Sequence, residues 1–403
     1  MTPEIKLKTV ADANFKGRKV LIRVDFNVPL NHNNQVTDIT RIRESLPTIR
    51  KVLDDGAAVI LMSHLGRPSG GFEADYSLTP VVPILSKMLN SNIIFNRDLF
   101  GPKTVEVAGE LQPGQVMLLE NLRFYPEEMA GDEGFAKNLA SLADTYVNDA
   151  FGTSHRPHAS VYTVAKYFDK EKYFGLLLAN EIRNLDNILN SPASPFTAII
   201  GGAKVSTKIE IIRNLLNKVD NMIIGGGMAF TFIKALDGKV GDSLIEEDRI
   251  ELAKNLVREM MLKGVNLYLP TDSVITDAFS NDGNIREVSS YSIPDDWQAL
   301  DIGRKSRRRF AEIINSSHKI LWNGPMGVFE MERFQQGTKA IAIAVASATI
   351  SGAFSSVGGG DSVAAINEYN LADQVSYVST GGGAMLEYLE GKELPAIMAL
   401  LEE

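Results

Sequence analysis

The sequence predicts an α/β protein built from two doubly wound parallel sheets with a cleft between them. Two observations carry the sheets: continuous apolar runs recur along the 403 residues, and helical patterns lie between most of them. A third divides the chain in two. Runs in the first half end in loops bearing arginine and carboxamide groups, whereas most runs in the second half end in glycine clusters. Strand–helix alternation implies parallel strands covered on both faces, and ligands bind beyond the carboxyl ends of such strands.

The strands are read in chain order. Residues 20–24, 57–62, 116–119 and 145–147 form the first set. Residues 197–200, 221–224, 266–269, 319–322, 353–357 and 374–378 form the second. Helical periodicity covers 41–53, 80–89, 208–216 and 245–263, among others. Both sheets are therefore expected to be Rossmann-like. An amphipathic helix over 176–189 is followed by Ser191-Pro192-Ala193-Ser194-Pro195, which puts the domain boundary near 180–195. The stretch 384–403 looks helical, with interruptions at Gly391 and Pro395. Residues 277–296 look like a variable loop.

Composition narrows the chemistry. There is no cysteine, which excludes a disulfide scaffold, a thiol nucleophile and a cysteine zinc site. The five histidines have no metal-ligand spacing. The formal net charge of −9 disfavours general nucleic-acid or membrane-surface binding. The charged N-terminus does not resemble a secretory signal, and 340–350 is too short to span a bilayer, so a soluble cytoplasmic protein is expected. G-x-x-x-x-G-K-[ST], H-R-D, D-F-G, G-x-S-x-G and H-E-x-x-H are all missing.

In the second half, Gly201-Gly202, Gly225-Gly226-Gly227, Gly358-Gly359-Gly360 and Gly381-Gly382-Gly383 each end a strand. One such run can be merely a tight turn. Four in one lobe favour backbone N–H groups approaching phosphates. Lys204 and Lys208 lie four apart; a helix starting near Lys204 would put both on one face, where an anion would compensate them. The alternative is two solvated lysines. Asp361 is either a helix N-cap, a Mg²⁺-bearing carboxylate, or both. Glu330 either meets ribose hydroxyls or is a surface residue.

In the first half, Arg23, Arg41, Arg67, Arg123 and Arg156 gather on the ligand-bearing edge, which suits a small polyanion. Asp25 and Asn27 would accept from substrate hydroxyls, although Asp25 could instead pair with Arg23. The basic run over residues 304–309 opens a helix and is read as a solvated face, with Gly303 before it lining a nucleotide pocket.

KVLIRVDFNVP, SHLGRP, LENLRF, NDAFGTSHR, GGAKVSTK, IIGGGMAFTF, LWNGPMGVFE, GGGDS and STGGGA occur in the order seen in phosphoglycerate kinases, which the chain resembles from about Lys19 onward. The resemblance implies reversible, Mg²⁺-dependent transfer between 1,3-bisphosphoglycerate and ADP, giving 3-phosphoglycerate and ATP. It implies a monomer whose lobes close over the cleft. Residues 1–180 would bind 3-phosphoglycerate, 181–389 the nucleotide, and 390–403 would pack back on the first lobe. Arg23, Asp25, Asn27, His64, Leu65, Gly66, Arg67, Arg123 and Arg156 would bind the glycerate, and Arg41 would also contact the reacting carboxyl. Gly202, Lys204 and Lys208 would hold nucleotide phosphates and the migrating group. Gly303, Asn323, Pro325 and Glu330 would line the adenosine site, and Gly358, Gly359, Gly360, Asp361 and Ser362 the phosphates, with Asp361 on Mg²⁺. Gly382 and Gly383 would present a helix N-terminus to the transferring phosphoryl. A catalytically inactive nucleotide-binding protein of the same fold is the alternative. The run over 304–309 is more basic than the family usually shows.

Overall fold

A computed structural model describes residues 6–402. The chain divides into two compact units, Met1–Arg183 with Glu393–Glu403, and Asn184–Lys392. The helix Leu176–Asn190 runs across the division.

In the first unit, β1 (Lys19–Arg23), β2 (Ala58–Met62), β3 (Ile93–Asn96), β4 (Val116–Leu119), β5 (Thr145–Asn148) and β6 (Lys172–Phe174) form one parallel sheet. The spatial order is β3-β4-β2-β1-β5-β6. Every residue of β2 and β4 is buried, as continuous apolar runs covered on both faces must be. Each wholly buried Val, Leu or Ile there contributes about 1.5–3 kcal/mol. The order reverses between β1 and β5, which fixes the crevice at the carboxyl ends of those two strands. β3 and β6 escape a reading of apolar runs. β3 is a half-buried edge, and β6 opens on the buried Lys172.

The second unit opens with β7 (Phe196–Ile200), β8 (Asn221–Ile224), β9 (Lys239–Val240), β10 (Asn266–Tyr268) and β11 (Asp272–Thr276). It continues with β12 (Ile285–Ser289), β13 (Ser292–Ile293), β14 (Gln298–Ile302), β15 (Lys319–Asn323), β16 (Phe354–Val357) and β17 (Tyr377–Val378). Its parallel sheet has the order β10-β8-β7-β15-β16-β17 and reverses between β7 and β15. A smaller antiparallel sheet, β12-β11-β14, and the pair β13-β9 complete it.

This corrects the loop expected over 277–296, since β12 and β13 lie within it. β12 keeps Ile285 and Val288 half-buried and exposes Arg286 and Glu287. An antiparallel strand with one wet face reads as polar when only continuous apolar runs are sought.

The helix Pro395–Leu401 belongs to the first unit, where Ala396 N–H donates to the Ser154 carbonyl at 3.1 Å. Among the described residues no helix is long and apolar enough to cross a membrane.

Candidate functional site

The first edge begins where β1 ends. Arg23 is wholly buried, behind the edge rather than on it. Its Nε donates to Ser160 Oγ at 2.9 Å, Nη1 donates to the Val24 carbonyl, and Nη2 lies 3.1 Å from His64 Nδ1. Arginine only donates, so Nδ1 accepts and the His64 proton sits on Nε2. Burial, together with Arg23, Arg123 and Arg41, holds the His64 pKa well below the usual imidazole range.

Asp25 does not take Arg23 as its ion-pair partner. Its Oδ2 accepts from Arg41 Nη1, and its Oδ1 lies 3.9 Å from His64 Nδ1. Burial would raise the Asp25 pKa, but Arg41, His64 and Arg23 outweigh it and hold it at about 2. Arg41 sits in the first turn of the helix Thr40–Asp54, where a cation opposes the helix dipole. Asp25 is the compensating charge.

The loop after β2 is clamped from two sides. Gly66 N–H donates to Asn27 Oδ1 at 2.8 Å, and Arg123 Nη1 donates to the Gly66 carbonyl at 2.7 Å. Asn121, which sequence reasoning did not single out, accepts from Leu65 N–H at 3.2 Å and donates to the Leu65 carbonyl at 2.7 Å. Its place two residues past a strand and two before Arg123 was the available signal. Arg67 and Arg156 are exposed, and Arg41 and Arg123 are half-buried. Burial and the neighbouring Arg23 lower the Arg123 pKa to about 10. Cations crowded this closely favour an incoming polyanion.

The second edge is made of backbone. At its switch point Gly201 N–H donates to the Asn323 carbonyl at 2.8 Å, and Gly202 N–H to the Pro325 carbonyl at 3.1 Å. The wholly buried Trp322 donates from its indole to the Gly324 carbonyl at 2.8 Å, which uses its polar handle to fix the turn. Asn323 and Ser362, both wholly buried, bracket the loops. Asn323 Nδ2 donates to the Gly358 carbonyl at 2.7 Å, and Ser362 Oγ accepts from Gly324 N–H at 2.5 Å.

Gly359 has φ 93°, and a Cβ there would fall 2.6 Å from Asn323 Nδ2. Only glycine lets the loop pass. The helix Gly360–Glu368 follows with no side-chain cap, so its first-turn N–H groups are available to an anion. Asp361 is therefore not the N-cap; it lies exposed in the first turn. The helix Gly383–Leu389 likewise starts on Gly382 without a side-chain cap.

Lys204 and Lys208 do not share a helix face. Lys204 is extended, residues Val205–Thr207 form a 3₁₀ turn, and the α-helix starts only at Ile209. Glu246 takes both the Ser206 N–H, at 3.0 Å, and its hydroxyl, at 2.5 Å, and so anchors that turn. Lys204 is exposed, while the half-buried Lys208 donates from Nζ to Asn323 Oδ1. Burial lowers the Lys208 pKa, opposed by Asp361 and Glu390. Pro325 is half-buried, Glu330 is exposed, and Gly303 is buried against Asp272, whose carbonyl accepts its N–H at 2.8 Å.

The family model described as phosphoglycerate kinase matches residues 10–392. The chain belongs to the phosphoglycerate kinase family. Among curated phosphoglycerate kinases it is 49% identical to that of Porphyromonas gingivalis, over 97% of this chain and 99% of the relative. It is also 49% identical to "Phosphoglycerate kinase 3, cytosolic" of Arabidopsis thaliana, over 100% of both. The solved phosphoglycerate kinase of Coxiella burnetii superposes with a TM-score of 0.89 at 41% identity, covering 98% of this chain and 99% of that one. That of Pyrococcus horikoshii gives 0.83 at 31%, covering 98% of each chain. The two parallel-sheet units are thus the family's fold, and the chain is a phosphotransferase of that family.

Proposed function

We propose that the arginine edge binds 3-phosphoglycerate, that the glycine edge binds ADP or ATP, and that a phosphoryl group passes directly between the nucleotide and the glycerate carboxyl. The observation that carries this is the pair of switch points. At the first, Arg41 pairs with Asp25 and Arg123 holds the Gly66 carbonyl, both half-buried beside the buried Arg23; the second offers bare backbone and an uncapped helix start.

Each group has a job the chemistry needs. The nucleophile, a carboxylate or an ADP phosphate, is already ionised, so no general base is required. Catalysis is then positioning plus neutralisation of charge on the equatorial oxygens. Arg67 and Arg156 take the acid's anionic groups, and Arg41 reaches the reacting carboxyl. Lys204, Lys208 and the N–H groups of the helix from Gly360 take the nucleotide phosphates. Pro325, Gly303 and Glu330 flank the adenosine.

Among the described residues no cluster of three metal-ligating side chains exists. The exposed carboxylate of Asp361, in the first turn of the uncapped helix, suits it as the single protein ligand of a Mg²⁺ that arrives on the nucleotide. Such an ion supplies further neutralisation of phosphate charge. The protein acts in the cytoplasm, in keeping with the cytosolic relative's name, and as a monomer.

Purified protein with Mg²⁺, ATP and 3-phosphoglycerate is expected to form ADP and an acyl phosphate that hydroxylamine traps. Nucleotide binding without turnover would overturn the assignment and favour an inactive protein of this fold.

A further inference from the structure

We infer that Glu128 is a positioning residue for the phosphoglycerate edge, acting through Ser160 on Arg23 and, through Arg23, on His64. The inference rests on the proposed reading that this edge holds the acid.

Glu128 lies in the short helix Pro126–Ala130 and is wholly buried, as is Ser160. Both carboxylate oxygens are spent on one residue. Oε1 accepts the Ser160 hydroxyl at 2.5 Å, and Oε2 accepts the Ser160 N–H at 2.9 Å. The Glu128 carbonyl accepts from Ala159 N–H at 2.8 Å, so the 159–160 backbone is held against it. Ser160 Oγ then receives Arg23 Nε at 2.9 Å.

The direction of every link is fixed. Arginine can only donate, so Ser160 Oγ accepts from it. The hydroxyl has one hydrogen, and that hydrogen goes to Glu128. A pure acceptor at position 128 is therefore needed to hold Ser160 in the orientation that seats Arg23. From Arg23 the chain continues to His64 Nδ1 at 3.1 Å and ends there, since Asp25 Oδ1, 3.9 Å from that same accepting nitrogen, is another acceptor.

Charge gives the same answer. Among the described residues no carboxylate touches the buried Arg23 directly, and an uncompensated buried guanidinium is costly. Glu128, one hydroxyl away, and Asp25, one imidazole away, supply the compensation from opposite ends. Burial raises the Glu128 pKa, and the Arg23 charge opposes that rise most among its neighbours. Glutamine at 128 keeps the volume but not the pattern. With its oxygen on the Ser160 N–H, its NH₂ donates to Ser160 Oγ and leaves the buried hydroxyl hydrogen without the acceptor that oriented it.

The test varies each substrate separately in steady-state kinetics of the full chain. Glu128→Gln and Ser160→Ala are each expected to raise KM for 3-phosphoglycerate about tenfold, the scale of one hydrogen bond to a charged group. KM for MgATP should stay within about twofold. The double variant should also show about tenfold rather than about a hundredfold, because both changes break one chain. An additive double variant, equal rises in both KM values, or no rise would each overturn the inference. Arg67→Ala serves as the control. If it raises KM for the acid while Glu128→Gln and Ser160→Ala do not, the positioning role fails and the edge assignment stands. If Arg67→Ala also has no effect, the edge assignment fails and the inference falls with it. Should Glu128→Gln not fold, Ser160→Ala paired with Glu128→Asp applies the same criteria.

Discussion

Replacing Arg41 with alanine is expected to lower kcat by two orders of magnitude or more, the scale of losing one donor aimed at transition-state charge. KM for each substrate should change much less. Arg41 is held for this task from behind, since one of its nitrogens is committed to Asp25. A guanidinium has five N–H donors, so others remain for the ligand. The substitution has a second consequence, which a further variant separates. Without Arg41, one of the charges that oppose burial at Asp25 is gone and its pKa climbs from about 2.

The sign follows from linkage. A carboxyl with a depressed folded pKa adds stability that is fully present above its unfolded value, and loses it as pH falls through the folded one. For Asp25 that loss lies between 3.8 and about 2. In Arg41→Ala the folded value rises toward 3.8, so that window narrows and the stability Asp25 adds above it shrinks. Arg41→Lys retains the charge but not the planar fork. It should keep acid stability near that of the parent and still lose most of kcat. An Arg41→Ala effect confined to KM would reduce the residue to a binding group.

Lys208→Met is expected to lower kcat/KM for MgATP by about a hundredfold, on the same scale. The ammonium is half-buried and donates to a neutral carboxamide, Asn323, whose other end holds the Gly358 carbonyl. The lysine is thus tied to the loop that leads into the uncapped helix from Gly360. Methionine keeps most of the side-chain volume and removes the charge. KM for 3-phosphoglycerate should be unaltered. Equal losses for both substrates would mean that the lysine holds up the fold rather than the nucleotide.

The central strands were legible because wholly buried parallel strands must be written as unbroken apolar runs. β1, β2, β4, β7, β8 and β15 are of that kind. β3, β12 and β14 were not, being an edge strand or members of a small antiparallel sheet. Strand ends showed which residue types gather at each edge, but not which way a side chain turns. Arg23 closes β1 as Arg67 follows β2, yet one guanidinium enters the core and the other reaches solvent. The four-residue spacing of Lys204 and Lys208 suggested a shared helix face, but the chain between them is a 3₁₀ turn whose Ser206 is held twice by Glu246, forty residues away. Ser160 and Glu128 carried no motif signal at all. Their meeting depends on the chain folding back over thirty-two residues.

The central claim is the division of labour between the edges, and separate calorimetric titrations test it most directly. Wild type, Arg67→Ala and Lys208→Met are each titrated with 3-phosphoglycerate alone and with MgADP alone. Arg67→Ala should weaken the acid at least about tenfold, the scale of one bidentate charge-assisted contact, and leave MgADP within about twofold. Lys208→Met should do the reverse. If either variant weakens both ligands alike, or weakens only the ligand assigned to the other edge, the division is contradicted.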